Sequence, residues 1–424
     1  MTRLAGKMMS KKSLMFIPVI LILLLAACVG KSVTEPPVSF LGHVPSRPYA
    51  ESDYQLELAS GKTAIEYFTS EKIKSGWNLG NTLDSHRDGI SGETIWGNPS
   101  VNQNLMNGVK AAGFDIIRIP VTWMGEIGAA PDYRISAGRL KRVAEVAGMA
   151  HSAGLKVIIN IHHDGATESD GRDLGWLSIT KAGRNNDEFN RITAQFARVW
   201  QQIALYFKNY GDWLVFEPFN ELHDGNWQSS SDIGLLITLN KWNQLFTDIV
   251  RSSGGGNETR FLMIPAYCSD NRQALSAGFV MPDDPAPDRQ ILTFHYYAPH
   301  EFTMNGRRLT WGTDADRQRV DGDFAPFKER FVGNNIPVVI GECGAVLQLF
   351  PNDPAREAQA RQSRRDYVEC VFKTANKYGL VPVYWDNGSV SGSGEKFGLL
   401  DRRTGQPNSP ESAALIKLMI NAVI

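Results

Sequence analysis

The sequence predicts a closed (β/α)8 barrel, the TIM-barrel class of α/β fold, and three observations predict it. Eight short apolar runs, rich in β-branched and aromatic residues, alternate with helical patterns through the chain beyond about residue 60. Nearly every run ends in polar or aromatic side chains, as strands do when their carboxyl ends converge on one working face. No linker, composition break or short repeat interrupts the region. A doubly wound open sheet is the competing arrangement, and it would gather its chemistry mainly at one switch point.

The chain opens on an export signal, residues 1–27. Arg3, Lys7, Lys11 and Lys12 supply a basic start, and Leu14 to Ala27 an apolar stretch too short for an ordinary membrane-spanning helix. Its close, Leu25-Ala-Ala-Cys28, resembles the bacterial lipobox. That resemblance implies cleavage before Cys28 and lipidation of its thiol and amine; an ordinary signal peptide with a chance cysteine is the alternative. Val29 follows, where an aspartate would suggest retention at the inner membrane. The expected location is therefore the bacterial outer membrane or the cell surface, with Cys28 as the lipid anchor. Residues 28–53 carry Pro36, Pro37, Pro45 and Pro48 and no apolar period, which predicts an extended tether. The globular domain, the predicted barrel, is expected over 54–424.

Thr63 to Lys74 reads as a short helix. The strand candidates are Gly76 to Asp84, Phe114 to Trp123, Leu155 to Asp164, Trp213 to Glu221, Arg260 to Ala266, Ile291 to Tyr297, Val338 to Glu342 and Leu380 to Asn387. Helical patterns fill the gaps, among them Arg139 to Ser152, Asp187 to Asn209, Asp232 to Ser252 and Arg356 to Lys377.

Composition narrows the function. Of 424 residues, 42% are hydrophobic, enough for a large core in one or two domains. With 44 basic against 45 acidic residues, the formal charge of −1 gives no global electrostatic case for nucleic acid. Ten tryptophans and 12 tyrosines offer flat faces that can stack on sugar rings as well as fill a core. Beyond Cys28 the cysteines are Cys268, Cys343 and Cys370. An odd number in an exported protein leaves at least one free thiol, and none shows metal-ligand spacing. Cys343 reads as a small buried side chain.

Two runs share one design. Leu214 to Phe219 ends in Asn220-Glu221, and Ile336-Pro-Val-Val-Ile-Gly ends in Glu342. Two carboxylates at the carboxyl ends of buried strands are the parts that an acid/base plus nucleophile mechanism requires. Around them the strand ends present Asn81 and Asp84, Arg118, His162 and His163, Asn220, His295 and Tyr297, and Trp385. Singly, Arg118 could be an ion pair inside the barrel, His162 a hydrogen-bonded core histidine and Trp385 packing. Their joint placement at one face argues for a site. Such a mechanism keeps one acid protonated to serve the leaving oxygen and the other ionised to attack, with no metal or cofactor. An arginine beside the attacking carboxylate is expected to lower that group's proton affinity, and a second carboxylate close by to raise that of the acid.

The chain resembles family 5 of the glycoside hydrolases, the endoglucanase or cellulase family, over roughly residues 60 to 424. The carriers, in the family's order, are Gly76-Trp-Asn-Leu-Gly-Asn-Thr-Leu-Asp84, Arg118-Ile-Pro, Ile161-His162-His163, Asn220-Glu221, His295-Tyr-Tyr-Ala-Pro299 with Phe302-Thr303, Gly341-Glu342, and Tyr384-Trp385-Asp-Asn-Gly388. The resemblance implies Glu221 as general acid/base and Glu342 as nucleophile. It implies Arg118 and Tyr297 steering Glu342, Asn220 reaching the sugar 2-hydroxyl, His162 and His295 lining the reacting sugar's subsite, and Trp385 as its stacking platform. Two positions depart from the family pattern: Leu222 stands where proline usually follows Asn-Glu, and Cys343 where phenylalanine usually follows Gly-Glu. The implied substrate is a β-glucan, with xyloglucan and mannan as alternatives, handled by a monomer. A surface glycan-binding lipoprotein without turnover is the reading from a different class.

Overall fold

Eight parallel strands close on themselves in the computed structural model, which describes residues 42–227 and 230–424. The predicted signal, Cys28 and the first part of the tether lie outside the described residues. The strands are β1 (Gly76–Leu79), β4 (Ile116–Ile119), β5 (Lys156–Asn160), β6 (Leu214–Glu217), β7 (Leu262–Asp270), β8 (Gln290–Tyr296), β9 (Val338–Cys343) and β10 (Leu380–Asp386). A small antiparallel ribbon, β2 (His86–Arg87) with β3 (Ile90–Ser91), follows β1 at the rim. Each barrel strand pairs with its neighbours in chain order, and β1 pairs with β10 to close the ring.

The pleat divides the apolar residues between two layers. Ile116, Ile158, Val215, Met263, Ile291, Val339 and Val381 form one cluster with Ala64, Tyr67 and Phe68 of the short helix Ala64–Ser70. That helix is fixed by a capping box between Thr63 and Glu66. Alternate strand residues such as Ile117, Ile159, Leu214 and Phe216 belong instead to the cluster shared with the surrounding helices. The predicted helices form at Ala137–Ser152, Asn186–Tyr206, Ile233–Ser252 and Pro354–Tyr378, each started by a capping side chain: Ser136, Asn185, Asp232 and Asp353.

The strands stop earlier than their apolar runs. β4 ends at Ile119 and β6 at Glu217, each just before a proline that lacks the N–H needed to continue a ladder. Asn220 and Glu221 therefore sit on the loop after β6, and Asn81 and Asp84 on the loop after β1. Cys268, Cys343 and Cys370 are free and buried.

The tether expectation needs correcting over the described residues. His43 lies 2.8 Å from Asp132, Ser46 donates to the same carboxylate, Tyr54 stacks on Tyr210 at 3.9 Å, and Glu57 accepts the Gly211 amide at 2.9 Å. This stretch has no helix or strand, as expected, yet its packing against the barrel begins ahead of Tyr54. Polar side chains tie it down where apolar period gave no sign.

Asp386, at the end of β10, fastens the seam. It accepts hydrogen bonds from the Trp77 indole of β1 at 3.0 Å and from the amides of Gly388 and Leu399, both at 2.8 Å. It also pairs with buried Arg402 at 3.1 Å, whose guanidinium lies over the Trp77 ring at 4.6 Å. Removing one partner of a buried pair strands the other charge. Asp386→Ala should cost about 3–5 kcal/mol of stability, read from urea unfolding, whereas a loss under about 1 kcal/mol would mean that the seam is held by packing alone.

Candidate active site

Arg118, on β4 and fully buried, is the hub. Its Nε donates to Glu217 at 2.8 Å, one terminal nitrogen to Glu342 at 2.7 Å and Asn78 at 3.1 Å, and the other to Asn220 at 2.7 Å. Side chains from β1, β6, β9 and the loop after β6 are thereby fixed to one planar fork. Tyr297, after β8, donates to the second oxygen of Glu342 at 3.0 Å.

Glu221 has a different neighbourhood. Its carboxyl meets His295 Nδ1 at 2.6 Å, and that nitrogen lies 3.7 Å from Glu342. One oxygen each of Glu221 and Glu342 and one nitrogen of His295 all fall within 4.8 Å of one another. Burial pushes the Glu221 proton affinity up to about 7, against weaker opposition from Arg118, His300 and His163. The expected cause, a neighbouring carboxylate, is thus corrected to burial. Burial raises Glu342 as well; His295 and Arg118 pull it back, as expected of Arg118, without reversing the shift. Only Glu342 has cationic and phenolic donors on both oxygens. The proton is therefore best placed on Glu221 and the charge on Glu342.

His162 shows how the sequence fixes a tautomer. The Asn160 side-chain oxygen accepts the Val121 amide at 3.0 Å, so its NH2 points at His162 Nδ1, 3.1 Å away, and at Glu217, 2.8 Å away. Burial keeps His162 well below its ordinary proton affinity. A neutral ring that accepts at Nδ1 carries its proton on Nε2. Burial likewise holds His295 down, to about 4.

Trp385 lies nearly parallel to His162, with ring centres 5.9 Å apart. It fits because position 80 is glycine: a Cβ there would lie 2.8 Å from the indole. Gly341 serves His295 similarly, since a Cβ would meet Thr293 at 2.8 Å and the His295 ring at 3.1 Å. His163 packs edge-on to His162 and beside His86 and Trp96.

Asp84 is placed differently from its expected role. It is fully buried, and its oxygens accept the backbone amides of Asn81 at 3.0 Å and Thr82 at 2.7 Å. It holds the loop on which Asn81 sits, at φ 56°. The two departures from the family pattern are accommodated. Leu222 donates its amide to Asn220 at 3.1 Å, which proline could not do, and packs against Gly165. Cys343 is buried, its thiol 3.6 Å from the Val383 carbonyl.

Sequence reasoning missed Glu217, Asn78 and Asn160. The signal was present: each interrupts an apolar strand with a polar group, which a buried strand tolerates only when a partner waits inside. Among the described residues, two groups bring ligand-type atoms together, Glu221 with His295 and Glu342, and Asp84 with His162 and His163. The first is already committed to hydrogen bonds among its members and Arg118.

Two approaching carboxyls, one favouring its proton and the other its charge, at the carboxyl face of a (β/α)8 barrel define a glycoside hydrolase site. Comparison with known proteins makes this specific. Residues 80–391 match the family described as Cellulase (glycosyl hydrolase family 5), and the chain belongs to that family. Endoglucanase A of Paenibacillus barcinonensis is 36% identical over 338 residues, covering 75% of this chain and 81% of that one. A xyloglucan-specific endo-beta-1,4-glucanase of Bacteroides ovatus is 36% identical over 88% of this chain and 74% of its own. The solved structure of a GH5-4 broad specificity endoglucanase from Bacteroides salanitronis superposes with a TM-score of 0.78 at 37% identity, covering 89% of this chain and all of that one. The chain is a glycoside hydrolase of the cellulase type, which sets aside the reading of a binding protein without turnover.

The proton held by Glu221 has a consequence for stability. Its affinity is 4.5 ordinarily and about 7 in the fold. Between those values the unfolded chain sheds a proton that the native state keeps, so stability falls as pH rises and the deficit is complete above about 7. Glu221→Gln keeps the shape and removes the charge. It should unfold at higher urea than the wild type at pH 8, by on the order of 2 kcal/mol, and show no gain at pH 4. An equal gain at both pH values would contradict the assignment of the proton.

Proposed function

We propose that this protein is a retaining endo-β-1,4-glycanase that cleaves β-glucans with Glu221 as general acid/base and Glu342 as nucleophile. The observation that carries the mechanism is the approach of the two carboxyls, with oxygens within 4.8 Å. Retaining enzymes hold them about 5–5.5 Å apart, whereas inverting enzymes need about 6.5–9.5 Å to admit a water.

In the first step a Glu342 oxygen attacks the anomeric carbon, the bond to the leaving oxygen breaks, and that oxygen takes the Glu221 proton. In the second, Glu221, now a carboxylate, takes a proton from water. The water oxygen attacks the anomeric carbon, and the bond to Glu342 breaks to restore its carboxylate. Asn220 commits its oxygen to Arg118, so its NH2 is left to donate to the sugar, which suits the 2-hydroxyl. His162, with its proton on Nε2, is a further donor. Trp385 offers an apolar face to the ring in the same subsite.

A second reading of the substrate has its own support, because a relative 36% identical over 88% of this chain is named as xyloglucan-specific. The lipobox supports export and attachment at Cys28 to the outer membrane or surface. The reading is of a monomer whose cleft faces solvent polysaccharide.

The two glutamates separate by stereochemistry. In Glu221→Ala, azide should intercept the covalent intermediate without a general base, giving the β-glycosyl azide and faster turnover of an aryl glycoside. In Glu342→Ala it should occupy the vacated pocket and attack directly, giving the α-azide by a single inversion. Reversed anomers would exchange the two roles. For the anchor, Cys28→Ser should abolish labelling by a palmitate analogue while leaving the barrel folded. Undiminished label on the variant would remove the lipoprotein reading.

A further inference from the structure

The ring of groups around Arg118 includes one carboxylate that the two-glutamate chemistry does not use. Glu217, the last residue of β6, is fully buried and 2.8 Å from Arg118 Nε. The same oxygen takes the Asn160 NH2 at 2.8 Å, and the other meets no protein donor. A carboxylate enclosed at such expense, with one oxygen unserved, needs a reason.

Charge movement during the reaction supplies one. At rest Arg118 has two carboxylate partners, Glu217 and Glu342. Once Glu342 becomes an ester its charge is gone. The negative charge then resides on Glu221, which makes no hydrogen bond to Arg118. A guanidinium with no accessible surface would lose its compensation if Glu342 were its sole partner. We propose that Glu217 is the permanent counter-ion of Arg118, a positioning residue that keeps the guanidinium neutralised while Glu342 alternates between carboxylate and ester. The proposal rests on the reading of Glu342 as nucleophile.

The surroundings agree. Burial works against the Arg118 charge, and of the groups that sustain it Glu217 acts more strongly than Glu342. The charged and titratable groups facing Glu342 are Arg118 from β4, His295 from β8, Tyr297 beyond it, Glu221 from the loop after β6, and its neighbour Cys343. Glu217 faces Arg118, with Asn160 linking it to His162 from β5, and its charge also supports His295. Glu217 thus acts on the nucleophile through Arg118. By occupying half of the guanidinium's attraction it leaves Glu342 more basic than a single Arg–Glu pair would.

Glu217→Gln in the full chain tests this, because the amide oxygen can still accept from Arg118 and Asn160. With the whole Arg118 charge turned on Glu342, the acid limb of kcat/KM for an aryl β-cellobioside should move down by about one pH unit. The plateau should fall at least about tenfold, since the nucleophile is less basic and the ester leaves Arg118 uncompensated. A merely structural role would lower the plateau with the limb unmoved; an unmoved or raised limb in a folded variant overturns the proposal. If the Gln variant does not fold, Glu217→Asn decides, because it is smaller and equally neutral. A limb about one unit lower supports the proposal, and an unmoved limb overturns it. Trapping the wild type with a 2-fluoro aryl glycoside and mapping the labelled peptide keeps the two claims apart. Label on a residue other than Glu342 defeats the underlying reading, whereas label on Glu342 with an unmoved limb defeats the Glu217 proposal alone.

Discussion

A guanidinium with no access to water sets the terms for this site. Arg118 cannot be left uncompensated, so the barrel supplies Glu217, Glu342, Asn78 and Asn220 to its fork, drawn from β6, β9, β1 and the loop after β6. Charge-assisted contacts spread over a planar fork fix direction as well as distance. Each partner that satisfies Arg118 is itself oriented by doing so. Glu342, the asparagine beside Glu221 and the strand ends that carry them are registered against one another before substrate arrives.

The same burial that enforces pairing also separates the two carboxyls. Both lose hydration, yet Glu342 receives donors on each oxygen whereas Glu221 meets one neutral imidazole. A proton shared between unequal sites goes to the less supported one. That inequality supplies an acid near neutral pH at the cost of a native state weakened by a buried ionisable group. Asp386 shows the contrasting, purely structural use of a buried carboxylate: fully satisfied, and spent on closing the barrel.

Much of the fold was legible because a parallel strand buried on both faces reads as an apolar run, and a helix packed on one side reads as a period. The two approaching carboxyls were legible for a related reason, since Glu221 and Glu342 end such runs. Strand ends were misjudged where proline, at 120 and 218, stops the ladder while the apolar run continues. Glu217, Asn78 and Asn160 escaped because most of their partners lie on other strands, and only the pairing register brings them together. Asp84 was misread for want of the turn that folds its carboxylate back onto two amides. The segment from His43 to Glu57 gave no apolar signal because hydrogen bonds to Asp132 and Gly211, and one aromatic stack, hold it.

The central claim is that two carboxyls this close perform two displacements through a glycosyl-enzyme rather than one displacement by water. Proton NMR of the anomeric region in the first minutes of hydrolysis of a β-1,4-glucan oligosaccharide tests it directly. The β-anomer of the new reducing end should appear first, with the α-anomer following only as mutarotation proceeds. An α-anomer that forms first would mean a single inversion, and the assignment of Glu342 as nucleophile would be wrong.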